Sequence, residues 1–223
     1  MNIIDYRVQC SDTYRHHMTY DAATALIVVD MQNDFAHPDG ALYVDGGDAI
    51  VDMINAEISS AAEAGSPIVL TQDWHPASTP HFIPDGGVWP VHCVAGTWGA
   101  ALVDALDPTH RACAVIRKGT NGEDGYSAFA MRQPGGGVDI PTGLDGLLFQ
   151  RGVERVVVVG LATDVCVSAT ALSARATGFD TTMLWEASRP VFTDDDTTQR
   201  VLREFSDVGV VVVGGPNRNG CTS

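Results

Sequence analysis

The feature that most constrains the fold is a series of short apolar runs alternating with segments of helical spacing. The clearest run is R-V-V-V-V-G at Arg155–Gly160, and it has five counterparts: Thr24–Asp30, Pro67–Thr71, Ala112–Arg117, Thr181–Trp185 and Val208–Val213. Helices are expected at Gly47–Ala64, Gly143–Arg151, Thr163–Thr177 and Asp194–Ser206. Continuous β-branched runs are typical of strands buried on both faces. The pattern predicts an α/β fold with one domain, in which helices flank both faces of a mostly parallel six-stranded sheet.

The length of 223 residues fits a single domain. We expect this domain to span residues 21–223, after an N-terminal extension at residues 1–20. The extension mixes charges and histidines and has no apolar signal core, which argues against secretion. The five cysteines include no CxxC pair, a pattern typical of reduced thiols. A cytoplasmic location is therefore expected.

The net charge of −15 arises from 28 acidic and 13 basic residues. Such a surface repels nucleic-acid phosphates and anionic lipids, so no nucleic-acid or membrane partner is expected. The apolar runs are also far shorter than the roughly 18 residues that a membrane-spanning helix needs. Charge alone does not point to a chemistry.

Residues of the kinds that build active sites follow four consecutive predicted strands. They are Asp30, the pair Asp73 and His75, Lys118, and the pair Ala162 and Cys166. The carboxyl ends of parallel strands lie at one edge of the sheet, where ligands bind in open α/β folds. A carboxylate, a metal-binding segment, a cation and a thiol are therefore expected to meet there.

Cys166 has two readings, as a core residue or as a nucleophile, since free cysteines are commonly buried. Thr163 is a natural N-cap, which would place Cys166 in the first turn of a helix, where the dipole favours a thiolate. The small residues Gly160 and Ala162 allow a sharp turn that leaves N–H groups for a developing oxyanion. A nucleophile also needs a proton acceptor and gains from a cation, roles that suit Asp30 and Lys118.

The segment from Asp73 to His92 holds the densest set of possible metal ligands: Asp73, His75, His81 and His92. Imidazole with carboxylate favours one divalent transition metal, zinc, iron or manganese. Cys93 is an alternative ligand to His92, and a surface loop with incidental histidines is the plainer interpretation of the segment. The remaining histidines are expected to be structural or at the surface: His16, His17, His37 and His110.

Six ordered motifs together span most of the chain. They are V-V-D-M-Q-N-D-F at Val28–Phe35, T-Q-D-W-H-P at Thr71–Pro76, W-P-V-H-C-V-A-G-T-W-G-A at Trp89–Ala100, R-K-G-T at Arg117–Thr120, D-G-Y-S-A-F at Asp124–Phe129 and G-L-A-T-D-V-C-V at Gly160–Val167. In this order they resemble the motifs of nicotinamidases (pyrazinamidases) of the isochorismatase-like cysteine hydrolase family.

The resemblance implies a role for each matching residue. It implies a catalytic triad of Asp30, Lys118 and Cys166. It implies metal ligands at Asp73, His75 and His92, with His81 as a further histidine. It implies an oxyanion hole from the amides of Ala162 and Cys166, with a cis bond between Leu161 and Ala162. It implies a substrate pocket bounded by Phe35, Trp89 and Tyr126.

The implied reaction is metal-dependent conversion of nicotinamide to nicotinate and ammonia through a thioester, in NAD salvage, with pyrazinamide as a further substrate. A homo-oligomer is possible, because the small-residue helix Ser168–Ala176 suits close packing against either the sheet or a second subunit. Three alternatives remain: a carbamoyl- or ureido-hydrolase of the same family, an isochorismatase, and a non-catalytic metal- or ligand-binding module. The metal motif disfavours the first alternative, Cys166 the second, and the intact triad the third.

Overall fold

The computed structural model describes residues 18–107, 114–123, 125–133 and 137–215. Its main elements, in chain order, are β1 (Thr24–Val29), α1 (Asn33–Ala36), α2 (Val51–Glu63), β2 (Ile68–Asp73), β3 (Ala114–Lys118), β4 (Ala130–Met131), β5 (Ile140–Pro141), α3 (Leu144–Gln150), β6 (Arg155–Leu161), α4 (Ser168–Thr177), β7 (Asp180–Arg189), α5 (Asp195–Val208) and β8 (Val211–Val213). Short 3-10 helices occupy Asp48–Ile50 and Ile83–Asp85, and a π-helical turn occupies Thr163–Val167.

Six strands form one parallel sheet in the order β3-β2-β1-β6-β7-β8, which confirms the predicted architecture. The chain winds outward from β1 to β3 and then returns to lay β6 on the other side of β1. The strand order therefore reverses between β1 and β6, where Val29 pairs with Gly160. Ligands of open α/β sheets bind in the crevice beyond such a reversal.

Each face of the sheet carries its own apolar core, because neighbouring side chains along a buried strand point to opposite faces. On one face, α2 packs against the sheet through Ile54 and Ile58, together with Val28 of β1. On the other face, α3, α4 and α5 cover Ile27 and its neighbours. In α4, Ala171 and Ala174 lie in this second core, so the small-residue helix packs against the sheet within the chain.

Two predicted strand boundaries differ from the structure by three residues or more. The last strand begins at Val211 rather than Val208, because α5 keeps its apolar spacing through Val208 and ends at Gly209, which has φ 82°. The fifth strand of the sheet, β7, extends to Arg189, well past the predicted Trp185. The α1 turn and the β4–β5 pair were not predicted, since each is too short to carry a periodic signal.

The predicted domain boundary at residue 21 stays a prediction, since residues 1–17 lie outside the described residues. Tyr20, just before that boundary, is buried and donates a 2.7 Å hydrogen bond to Glu57 of α2. In the described segments, no helix has the length and apolar character needed to cross a bilayer.

We expect Gly160→Ala to destabilise the fold, because Gly160 has φ 112° and a Cβ there would clash with the carbonyl oxygen of Val29. The free energy of unfolding should fall by about 3 kcal/mol or more. Gly146→Ala is a matched control, since a Cβ in that helical position meets no atom within 4 Å. The control should be neutral or stabilising by up to about 1 kcal/mol. Equal effects in urea unfolding would contradict this account of Gly160.

Candidate active site

Three residues from three strand ends meet at the crevice beyond β1 and β6. Lys118 closes β3, and its Nζ lies 2.6 Å from Asp30 Oδ2, at the end of β1. The same Nζ lies 3.0 Å from Asp73 Oδ1, at the end of β2. The Cys166 thiol and one oxygen from each carboxylate lie within 4.8 Å of one another. The structure thus brings Asp30, Lys118 and Cys166 together, as the strand-end argument predicted.

Asp30 is held by a residue that the sequence reasoning did not single out. The Asp30 N–H donates to Thr71 Oγ1 at 3.0 Å, and that hydroxyl donates to Asp30 Oδ1 at 2.5 Å. The Asp30 backbone has φ 48°, an uncommon conformation for a residue other than glycine. Thr71 opens the T-Q-D-W-H-P motif, and its place on the strand beside Asp30 was the available signal.

Burial and charge together set the protonation states of the cluster. Burial raises the pKa of Asp30, a shift that Lys118 opposes and Asp73 reinforces. Burial also acts to raise the pKa of Asp73, but Lys118 and the imidazoles of His75 and His92 outweigh it and hold that pKa well below its usual value. Burial would lower the pKa of Lys118, yet the two carboxylates raise it well above the ordinary value. Asp73 and Lys118 therefore stay charged.

The thiol of Cys166 is protonated at rest, contrary to the thiolate expected from a helix terminus. Burial raises its pKa well above the ordinary value, with Lys118 opposing and the carboxylates reinforcing the shift. The helix begins differently as well. Ala162, not Thr163, is the N-cap, and the Thr163 hydroxyl instead lies 2.6 Å from Ser188 Oγ. Cys166 consequently needs a base to become a nucleophile.

The backbone before Cys166 combines a cis peptide bond with a widened first turn. The peptide bond between Leu161 and Ala162 is cis, as the resemblance implied. The Ala162 carbonyl accepts from the N–H groups of Val165 at 3.1 Å and Val167 at 3.0 Å. In this widened turn, the Cys166 N–H lies between those two donors. N–H groups at the start of a helix are available to an anion.

Three buried histidines form a second cluster beside the first. One ring nitrogen from each of His75, His81 and His92 lies within 4.8 Å of the others. Asp73 links the two clusters, because its Oδ2 lies 3.7 Å from His75 Nε2 and 3.8 Å from His92 Nε2. All four predicted metal ligands therefore lie around one point.

The chemistry of this donor set fits a divalent metal. His92 Nδ1 lies 2.7 Å from the Pro90 carbonyl, so that nitrogen carries the proton and Nε2 keeps a lone pair, as metal-binding histidines commonly do. Both ring nitrogens of His75 are buried without a hydrogen bond. Two buried carboxylates also face a single ammonium group, which leaves a net negative charge that a bound cation would offset.

The surroundings of the Cys93 side chain show that it is not the metal ligand in place of His92. The Cys93 thiol lies 3.9 Å from the Gly99 carbonyl and belongs to the apolar core, where burial raises its pKa. Cys93 is therefore a neutral core thiol, and His92 faces the cluster.

Asp73 is fixed through its backbone by Gln32, whose side-chain amide accepts from Asp73 N at 2.8 Å and donates to Asp73 O at 2.7 Å.

A pocket opens between the two clusters. Its walls include the three predicted aromatics, Phe35, Trp89 and Tyr126, and Trp89 Nε1 donates to the Tyr126 hydroxyl at 3.0 Å. The sequence reasoning missed its aliphatic walls: Leu42, Val44, Leu161, Val165 and Val191. Leu42, Val44 and Val191 lie in loops, which carry no periodic signal, and only the fold brings them beside Leu161 and Val165.

The other histidines take no part in the site where they are described. His37 is half-exposed and stacks edge-on against Trp98, as expected for a surface residue. His16, His17 and His110 lie outside the described residues.

Lys118→Met should lower the free energy of unfolding by about 3–5 kcal/mol, because it leaves buried carboxylates without their cation. Arg117→Met on the same strand is a matched control. Arg117 is exposed and contacts the ring of Trp74 at 3.8 Å, so about 1 kcal/mol or less should be lost. Chemical denaturation of both variants measures the difference, and comparable losses would contradict the buried-pair account.

Comparisons with known proteins agree with this geometry. A family model described as the isochorismatase domain matches residues 24–214. The chain is 40% identical over 192 residues to nicotinamidase/pyrazinamidase from Mycobacterium tuberculosis, a match that covers 85% of this chain and 97% of that protein.

Two solved structures share the fold. PnC1 from L. infantum in complex with nicotinate has a TM-score of 0.79 and 42% identity, covering 88% of this chain and 95% of that chain. Pyrazinamidase of Pyrococcus horikoshii in complex with zinc has a TM-score of 0.75 and 39% identity, covering 86% of this chain and 98% of that chain. Because the family model, the relatives and the shared fold all agree, this chain belongs to the isochorismatase family.

Proposed function

We propose that this protein is a metal-dependent amidohydrolase that converts nicotinamide to nicotinate and ammonia, and that accepts pyrazinamide as well. The observation that carries the proposal is one pocket with a buried thiol–carboxylate–ammonium cluster on one side and three histidines on the other. The names of the relatives and the nicotinate in a structure of similar fold support the same substrate class.

The pocket suits a small flat ring. Aromatic walls favour stacking with a heteroaromatic ring, and the aliphatic residues opposite exclude water from it. The lining also includes Cys166, which would face the carboxamide, and His81 and His92, which belong to the proposed metal site. The Phe35 ring contacts the His92 ring in a tilted arrangement, with centroids 5.3 Å apart, so one aromatic wall adjoins the proposed metal site.

In the proposed first step, Asp30 takes the proton of the Cys166 thiol as the sulfur attacks the amide carbon. The raised pKa of Asp30 makes it a stronger base than an exposed carboxylate, which suits this transfer. Lys118 keeps its charge and holds the carboxylate in place through its 2.6 Å bond. The backbone N–H groups of Ala162 and Cys166 stabilise the tetrahedral oxyanion.

The C–N bond then breaks, and Asp30 returns its proton to the departing ammonia, which leaves a thioester on Cys166. Water attacks the thioester as Asp30 accepts its proton, the C–S bond breaks, and Asp30 returns that proton to the leaving sulfur, which releases the acid and restores the thiol. One water is consumed for each amide cleaved. In each half of the reaction Asp30 accepts one proton and returns it, a role that suits the carboxylate that is hydrogen-bonded to the Cys166 thiol.

The proposed metal ligands are Asp73, His75, His81 and His92. A divalent transition metal bound there would supply a Lewis-acidic centre beside the ring-binding pocket. Zinc, iron and manganese all suit imidazole with carboxylate ligands. Asp73 suits the role because its low pKa keeps it ionised while its two oxygens face Lys118 and the imidazoles.

The alternative functions have less support. A ureido- or carbamoyl-hydrolase would use Asp30, Lys118 and Cys166 but gives no role to the buried histidines. A non-catalytic metal-binding module gives no role to the thiol beside Asp30. The NAD-salvage setting follows from the proposed substrate. The cytoplasmic location and the homo-oligomer stay predictions.

Cys166→Ala should lower ammonia release from nicotinamide by at least roughly 10⁴-fold, because the covalent step is lost. The melting temperature should stay within a few degrees of wild type, since only one buried sulfur atom is removed. A coupled ammonia assay measures turnover. Turnover at the wild-type rate in a folded Cys166→Ala protein would rule out the thioester route.

Chelation should abolish ammonia release, and adding back zinc, manganese or ferrous ion should restore it. His92→Ala should reduce the bound metal and the turnover together, since it removes a buried ligand. His37→Ala removes a half-exposed histidine outside the site and should leave both unchanged. Metal content by elemental mass spectrometry is measured on the samples used for the assay. Full activity in metal-free protein would contradict the metal dependence.

A further inference from the structure

The V-D-M-Q-N-D-F motif contains a buried acid that the proposed mechanism does not use. Asp34 is only 7% exposed, and among the described residues its carboxylate has no ion pair. Two backbone N–H groups stabilise the charge instead: Ala41 N donates to Oδ1 at 3.0 Å and Cys93 N donates to Oδ2 at 2.6 Å. Burying a carboxylate is costly, so an acid held by backbone amides in this way needs a structural or functional reason.

Through Cys93, Asp34 is connected to two residues of the histidine cluster. Cys93 has φ 46°, in the left-handed region that residues other than glycine rarely adopt. It follows His92 in the chain, and its carbonyl accepts the N–H of His75 at 3.0 Å. Fixing the Cys93 backbone therefore fixes the attachment points of two of the proposed ligands at once.

The packing around Asp34 leaves the carboxylate little freedom. A Cβ on Gly99 would clash with the carboxylate, and a Cβ on Gly40 would clash with the Asp34 carbonyl. The Asp34 N–H also donates to the Gly99 carbonyl at 3.0 Å. The side chain is held between two loops, so its bond to Cys93 N acts as a fixed anchor.

We propose that Asp34 is a positioning residue, which holds the Cys93 backbone in its left-handed conformation so that His75 and His92 face one metal ion. The inference rests on the metal site of the proposed function. Because both carboxylate oxygens accept N–H bonds, even the isosteric Asp34→Asn variant must turn an NH₂ group toward one of the two donors. That mismatch breaks the hydrogen bond from the N–H of Cys93 or of Ala41, so the positions of His75 and His92 around the metal are less well fixed.

Asp164 provides a matched control, since it is buried to the same degree and its carboxylate also accepts two backbone N–H groups. Val191 N donates to it at 2.8 Å and Phe192 N at 2.9 Å. Asp164→Asn should cost a similar amount of stability without touching the loops that carry the histidines.

The test measures zinc affinity of the metal-free proteins by competition with a chromophoric chelator. Asp34→Asn should weaken zinc binding roughly 10- to 100-fold, as loss of an outer-shell support does, whereas Asp164→Asn should stay within about threefold of wild type. The visible absorption spectrum of the cobalt-loaded proteins should change in Asp34→Asn alone. Melting temperatures of the metal-free proteins report the stability loss separately.

Equal zinc affinities in wild type and folded Asp34→Asn would overturn the role of Asp34, and so would equal losses in the two variants. A wild-type protein that binds no zinc would instead overturn the proposed metal site itself. If Asp34→Asn does not fold, Gly99→Ala displaces the same carboxylate without removing it, and the same loss of affinity is expected. Unchanged affinity in Gly99→Ala would likewise overturn the proposal.

Discussion

The ammonium group of Lys118 is the interaction on which the site depends, because it binds two buried carboxylates that would otherwise repel each other. Fully buried charges are stable only when an opposite charge or hydrogen bonds at close range compensate them. The pairing joins the ends of β1, β2 and β3, since Asp30, Asp73 and Lys118 each come from a different strand. The same ion pairs therefore hold the three strand ends together and fix the charged groups of the pocket.

Around this ion cluster, the residues proposed to react are distinct from the residues that hold them in place. Asp30 and Cys166 face each other across the reversal of strand order, where the fold leaves a crevice between β1 and β6. The supporting groups are buried polar residues that bond mainly to backbone. Gln32 holds the backbone of Asp73, and Thr71 holds Asp30. A site with such support is rigid before a ligand arrives, which favours precise alignment of the reacting atoms.

The sequence predicted the chemistry of the site better than its local backbone. Strand-end positions identified Asp30, Asp73, Lys118 and Cys166, because parallel strands deliver their carboxyl ends to one edge. The same reasoning misassigned the helix start at Thr163 and expected a thiolate at Cys166. Both errors have one physical cause: helix-terminus rules describe exposed termini, whereas burial here redirects the Thr163 hydroxyl to Ser188 and raises the pKa of the thiol.

The sequence by itself determined the alternation of strands and helices, the parallel sheet and the residue types offered at its edge, because these follow from periodicity and residue chemistry along short stretches of chain. Only the tertiary structure decided that His92 rather than Cys93 faces the histidine cluster and that aliphatic residues close the pocket. It also decided that Asp34 reaches Cys93, 59 positions away along the chain. Such contacts depend on how loops distant in sequence pack together, and no local pattern records that packing.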